Sequence, residues 1–157
     1  DVYKRQIKTY EKNPCPKDCI EFELLESIVL NKVERVREVV SEIKNFGFSC
    51  SLDDFGSGYS SFSVLTNSEL STLKIDRSLF QNEGDEREKV ILRHILGTAQ
   101  DLHMKTVAEG VETQSYVDFL RDSGCDYVQG FVFYRPMPVE EFEERFLANG
   151  EKINFGM

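Results

Sequence analysis

The sequence predicts an α/β protein built on a parallel sheet, and three observations carry that prediction. From Lys17 onward a unit repeats: a short apolar strand, a polar or acidic residue at its end, a loop, then an amphipathic helix. Five such units occupy the 157 residues, and strands that alternate with helices pair in parallel. At roughly 30 residues per unit a closed eight-fold barrel takes ~250 residues, so the chain has room for about five-eighths of one. A complete five-strand doubly wound sheet fits the same count, and periodicity alone does not separate the two.

The elements follow in order. The first strand is Ile20–Leu24, carrying Glu23 near its end, and a helix over Asn31–Asn45 follows it. There Val33, Val36, Val39, Val40 and Ile43 recur at helical spacing, and Gly47 comes after the helix as a C-terminal signal. The second strand, Phe48–Leu52, runs into Asp53 and Asp54, with a short helix expected at about Ser60–Thr66. The third, Thr72–Ile75, carries Lys74 and leads to Asp76 and a helix over Arg87–Leu102. The fourth, Thr106–Ala108, leads to Glu109 and Glu112. Its helix, Gln114–Ser123, is followed by Gly124. The fifth, Tyr127–Phe131, contains Gln129 and precedes a helix over Val139–Leu147.

Bulk properties exclude several classes. With 40% hydrophobic and 30% charged residues, the chain has the make-up of a soluble globular domain. No apolar run approaches the ~18 residues of a membrane span, and no signal-like segment opens the chain, so no membrane contact is expected from it. A net charge of −9 argues against a DNA or RNA duplex partner, which calls for a basic face. A small phosphorylated ligand is compatible if metal ions supply positive charge. Cys15, Cys19, Cys50 and Cys125 lack paired CxxC spacing. A zinc pair at Cys15 and Cys19 would need two more ligands, and His94 and His103 lie elsewhere. Reduced, cytoplasmic thiols are the expectation. The opening DVYKRQ fits no later pattern and equals an in-frame translation of a transposon-end adaptor used in library preparation. Residues 1–6 are therefore expected to be a non-native leader, the alternative being a polar helix start.

The strand ends carry the chemistry. Glu23, Asp53 with Asp54, Lys74 with Asp76, Glu109 with Glu112, and Gln129 all stand where a strand leaves the core. In a parallel barrel every carboxyl end opens on one face, so these side chains would converge on one pocket. In an open sheet only the switch point forms a site, and strand-end acids are then merely solvated. Adjacent carboxylates such as Asp53 and Asp54 repel, so that either a cation holds them or one of them is protonated. Oxygen ligands without cysteine or histidine select magnesium, manganese or calcium. Two such ions ~4 Å apart can clamp a phosphodiester and activate a water. Gly56 and Gly58 would let the following loop turn sharply. Lys74 suits a phosphate oxygen or the attacking water, or else a plain salt bridge to Asp76.

The blocks IEFELLES, LDDFGSGYSSFSVL, LKIDRSLF, VAEGVET and QGFVFYRPMP, in this order, resemble the EAL family of cyclic di-GMP phosphodiesterases over nearly all of residues 20 to 140. The resemblance implies a partial TIM-like (β/α)8 barrel whose strand ends hold two Mg2+ or Mn2+ ions, which open cyclic di-GMP to linear pGpG. Residue by residue, Glu23 is similar to a metal-ligand glutamate, and Asp53 to the ligand that bridges the metals. Asp54 is similar to a ligand of the second metal. Glu109 resembles the glutamate near that metal, Lys74 the lysine beside the nucleophilic water, and Gln129 the glutamine close to the reacting centre. Glu26 resembles the residue that braces the loop after the aspartates, and Glu112 a supporting partner. Loop Phe55–Ser61 resembles the segment that couples substrate, metal and dimerisation, so a homodimer is implied.

Leu25 departs from the family, which usually has threonine there. The name-giving Glu-Ala-Leu block and an upstream asparagine are absent from these residues, as the five-unit count already requires. The expected reading is the carboxyl-terminal part of one EAL domain over residues 7–157. Its longer parent would be the phosphodiesterase, and this chain alone would be inactive. The alternative is a catalytically silent module that binds cyclic di-GMP or a protein partner. A different metal-using barrel enzyme is disfavoured by five ordered blocks.

Overall fold

A computed structural model describes residues 2–31, 33–58, 65, 69–82 and 84–150. Five parallel strands form one sheet: β1 (Glu21–Leu25), β2 (Ser49–Phe55), β3 (Thr72–Ile75), β4 (Lys105–Ala108) and β5 (Tyr127–Val128). Their spatial order is β1-β2-β3-β4-β5, the order of the chain. Each crossover therefore advances the sheet one strand in the same direction. A doubly wound sheet reverses its order at a switch point, and this one does not. The arrangement is that of part of a TIM-like barrel.

The helices are α1 (Val2–Lys12), α2 (Glu26–Asn31), α3 (Val33–Asn45), α4 (Glu86–Asp101), α5 (Gln114–Asp122) and α6 (Val139–Phe142), the last running on into a π-helical segment, Glu143–Ala148. Helix α4 begins at Asp85, whose side chain accepts from Arg87 N, and carries Glu86 and Glu88 in its first turn, both favourable to a helix start. Gly47 and Gly124 follow α3 and α5 with φ of 88° and 80°, the left-handed conformation of a helix stop. The helix expected at Ser60–Thr66 lies outside the described residues, Leu65 excepted.

Two strand ends differ from the sequence expectation by more than one residue, each for a physical reason. Strand β2 runs to Phe55 because its last residues still pair with β3, Asp76 N donating to Phe55 O at 3.0 Å. Strand β5 stops at Val128 because the chain then folds across the segment after β4. Val111 N donates to Gln129 O at 3.1 Å, and Val132 N to Val111 O at 3.2 Å.

The two faces of the sheet have opposite character. Leu52, Leu73, Ile75 and Ala108 point towards the helices and are fully buried. They pack with Val36, Val40 and Ile43 of α3, Leu92, Leu96 and Ala99 of α4, and Leu120 of α5 in one continuous core. Each large side chain buried this way contributes about 1.5–3 kcal/mol. Tyr3 and Ile7 of α1 join the same core, and Tyr3 OH donates to Glu42 Oε2. The expected leader thus lies partly within α1. The other face carries Glu21, Glu23, Ser51, Asp53, Thr72 and Lys74, and it is this face that holds the candidate site.

Candidate functional site

Register places the site residues. Glu23 lies opposite Ser51, and Leu25 opposite Asp53, while Lys74 lies opposite Val107. Between β2 and β3, Leu52 pairs with Leu73 and Phe55 with Ile75. Two residues, Asp53 and Asp54, therefore stand against the single Lys74. This is a β-bulge, the device that re-aims side chains at strand ends. In a regular strand adjacent residues face opposite ways. Here Asp54 adopts a φ of 59°, and both aspartates turn to the same mouth. A non-glycine residue in that conformation is strained by about 1 kcal/mol or more.

Lys74 is the hub. Its Nζ lies 2.6 Å from Glu23 Oε1, 2.9 Å from Asp53 Oδ1 and 2.9 Å from Glu109 Oε1. These partners come from β1, β2 and the end of β4, so the ammonium joins strands that flank its own on both sides. Strands in a sheet lie ~4.8 Å apart, and a contact from β3 to β1 across β2 requires a concave sheet. Thr72 Oγ1 makes a parallel link one layer down, donating to Glu21 Oε1 at 2.7 Å. Burial pulls the Lys74 ammonium towards neutrality. Hydrogen bonds to Glu23, Asp53 and Glu109 outweigh that pull and hold it charged beyond the usual lysine range.

The acids crowd one another. Asp53, Asp54 and Glu109 each offer a carboxylate oxygen within 4.8 Å of the others. The Asp54 carboxyl is pushed up by burial, and then by the charges of Asp53 and Asp76. Four carboxylates against one ammonium leave three negative charges unbalanced. Asp53 Oδ1 is buried and faces the Lys74 ammonium at 2.9 Å. An all-oxygen cluster with excess negative charge fits a hard divalent cation. Asp53, Asp54 and Glu109 would hold it, with Glu23 beside them.

The loop after the aspartates is braced from two sides. Buried Glu26 accepts from Gly56 N at 3.2 Å, and Ser78 Oγ donates to Gly56 O at 3.0 Å. Gly56 has a φ of 100°, and a Cβ there would lie 2.2 Å from Leu79 Cδ1, so glycine is required twice over. The rest of the 59–64 stretch lies outside the described residues. Asp76 does not pair with Lys74. Its carboxylate instead accepts from Ser78 N at 2.9 Å and starts the turn Arg77–Phe80.

Gln129 and Glu112 sit to one side of this cluster. Glu112 pairs with Arg77 at 3.5 Å, and the Gln129 backbone is tied to Ala108 and Val111. Both line a cavity of about 520 Å³ walled by Phe131, Tyr134, Phe142 and Phe146. The Arg135 guanidinium stacks over the Phe131 ring at 4.5 Å from its centroid. Sequence reasoning singled out neither this aromatic wall nor Ser78. The signal for the wall was the dense aromatic run FVFY directly after Gln129.

The sequence profile of the EAL domain matches residues 2–136. A cyclic di-GMP phosphodiesterase of Pseudomonas aeruginosa, NbdA, is 39% identical over 126 residues, covering 80% of this chain and 16% of NbdA. The crystal structure of the EAL domain of Mycobacterium smegmatis DcpA superposes with a TM-score of 0.81 at 33% identity, covering 90% of this chain and 63% of that one. The PaMucR phosphodiesterase in complex with c-di-GMP superposes at 0.80 with 32% identity, covering 87% and 56%. The chain spans less than a fifth of the first curated relatives it matches.

Proposed function

The chain belongs to the EAL domain family, and on that basis we propose that it is the carboxyl-terminal part of a metal-dependent phosphodiesterase that hydrolyses cyclic di-GMP to linear pGpG. The observation that carries this reading is the gathering of Glu23, Asp53, Asp54, Lys74 and Glu109 from four strands at one mouth of the sheet. Structural relatives with c-di-GMP bound support the substrate. Residues 7–157 would be the later strands of one domain whose earlier strands supply further ligands, and residues 1–6 a leader. The four free cysteines are in keeping with a reducing, cytoplasmic setting. A homodimer formed through the loop after Asp54 is part of the same proposal.

Two Mg2+ or Mn2+ ions, when bound, would supply Lewis acidity for the phosphodiester and lower the pKa of a water. Asp53, Asp54 and Glu109 would hold and orient that charge, with Glu23 beside them. Lys74, kept protonated by its three acids, offers a donor to a phosphate oxygen or to the attacking water and does not act as a base. Glu26 and Ser78 keep the Gly56 turn closed, which fixes Asp54 in its left-handed conformation. Gln129 lines an aromatic cavity suited to a flat ring.

The test is incubation with manganese and cyclic di-GMP, read by chromatography of pGpG. The 157-residue chain should show little turnover, and the longer parent ordinary turnover of ~1 per second or more. Asp53→Asn in the parent should abolish it. Near-normal turnover by that variant would remove Asp53 from the metal site.

A further inference from the structure

Lys74 occupies the position of a counterion. We propose that Lys74 and a divalent cation hold the same carboxylates in mutual exclusion, so that metal loading drives the Lys74 ammonium off Asp53 and Glu109. The inference rests on the metal reading above and adds to it a movement of a residue of this chain.

The overlap of partners carries the argument. Lys74 Nζ contacts Glu23, Asp53 and Glu109 at 2.6–2.9 Å. The acids able to share one ion are Asp53, Asp54 and Glu109. Two of three are common to both sets. An ion bonded at ~2.0–2.6 Å to the oxygens of Asp53 and Glu109 that face Lys74 lies within about 5.5 Å of the ammonium, which touches those same oxygens at 2.9 Å. Cations that close repel, and little water separates them, because the Lys74 side chain is 12% exposed and that of Asp53 16%.

The lysine has somewhere to go. Its stem is flexible and its head is a compact point charge. Glu23, the partner outside the shared pair, is 53% exposed and stands at the rim. A displaced ammonium keeps Glu23 and turns to the open mouth, the side from which a phosphate would arrive. Without metal, Lys74 keeps Asp53 and Glu109 from repelling each other. With metal, it is released as a cation aimed at ligand. One residue thus serves the empty and the loaded site in turn.

The experiment titrates Mn2+ by calorimetry into the 157-residue chain as wild type, Lys74→Met and Lys74→Arg, with circular dichroism recorded on each. Lys74→Met should bind Mn2+ at least about tenfold more tightly than wild type, because one repelling charge is gone, and Lys74→Arg should not. In the wild-type chain, amine labelling read by mass spectrometry should rise at Lys74 as Mn2+ is added, a readout that needs no variant to fold. Unchanged or weaker Mn2+ binding by a folded Lys74→Met, or unchanged or reduced labelling of Lys74 at saturating Mn2+, overturns the exclusion while leaving the metal reading in place. Failure of wild type and variants alike to bind Mn2+ overturns the reading that this chain's own carboxylates hold a metal, and the exclusion with it.

Discussion

Replacing Gly130 with alanine probes how the loop bearing Gln129 is held. A Cβ at Gly130 would sit 1.9 Å from Val111 O, 2.4 Å from Val111 N and 2.6 Å from Val111 C. All three are backbone atoms, so no rotamer change relieves the overlap. The two segments are also laced together, by Val111 N to Gln129 O at 3.1 Å and Val132 N to Val111 O at 3.2 Å. Restoring an ordinary contact moves them apart by roughly 1.5 Å, which stretches both bonds beyond use. Two lost hydrogen bonds at about 1 kcal/mol each and overpacking of ~1–3 kcal/mol come to about 3–5 kcal/mol. That is a large share of the ~5–15 kcal/mol that keeps a domain folded. Urea denaturation followed by circular dichroism reads the difference. Gly58→Ala is the control, because nothing lies within 4 Å of its Cβ, and it should stay within ~0.5 kcal/mol of wild type. A Gly130→Ala protein as stable as the control would refute the close approach of the two backbones.

Three further outcomes follow. Gly97 lies inside α4 with open space around its Cβ, so Gly97→Ala should raise stability by about 0.5–1 kcal/mol in the same denaturation assay. Burial raises the Asp126 carboxyl, but hydrogen bonds from Lys105 and from Thr106 N and Oγ1 outweigh it and hold the group below the usual carboxylate range. Its contribution is therefore full above an unfolded pKa of ~4 and is lost as pH falls through the lower folded value. Asp126→Asn should lower the melting temperature at pH 7 and flatten its fall below pH ~4. Burial pushes the Cys50 thiol up to about 11. At neutral pH an alkylating reagent should modify exposed Cys15 and Cys19 and reach Cys50 only with unfolding, as peptide mapping would show.

Much of the fold was legible because it depends on local pattern. The valine stripe of α3, the glycines after α3 and α5 and the run Thr72–Ile75 are each visible within a dozen residues. The choice between a barrel and a doubly wound sheet turned on the convergence of strand-end side chains, and the unreversed strand order bears it out. The bulge at Asp53 and Asp54 was not legible, since a two-against-one pairing is a relation to β3 and not a property of β2. The same limit applies to Lys74. Its near neighbour Asp76 was the obvious local partner, yet Asp76 caps the next turn. Of the three carboxylates joined to it instead, Glu23 is 51 residues away. Only the curvature of the sheet, which no window of sequence encodes, brings those two together.

The two-against-one count at β2 bears on how easily such a chain could lose one of its clustered acids. Deleting Asp54 would leave Leu52 against Leu73, Asp53 against Lys74 and Phe55 against Ile75, an unbroken ladder with no residue forced into a left-handed backbone. Losing that codon would mend the sheet while taking away one of the acids it presents. In this architecture the loss of that acid runs downhill in folding energy, and the cluster stands against the preference of the ladder that carries it.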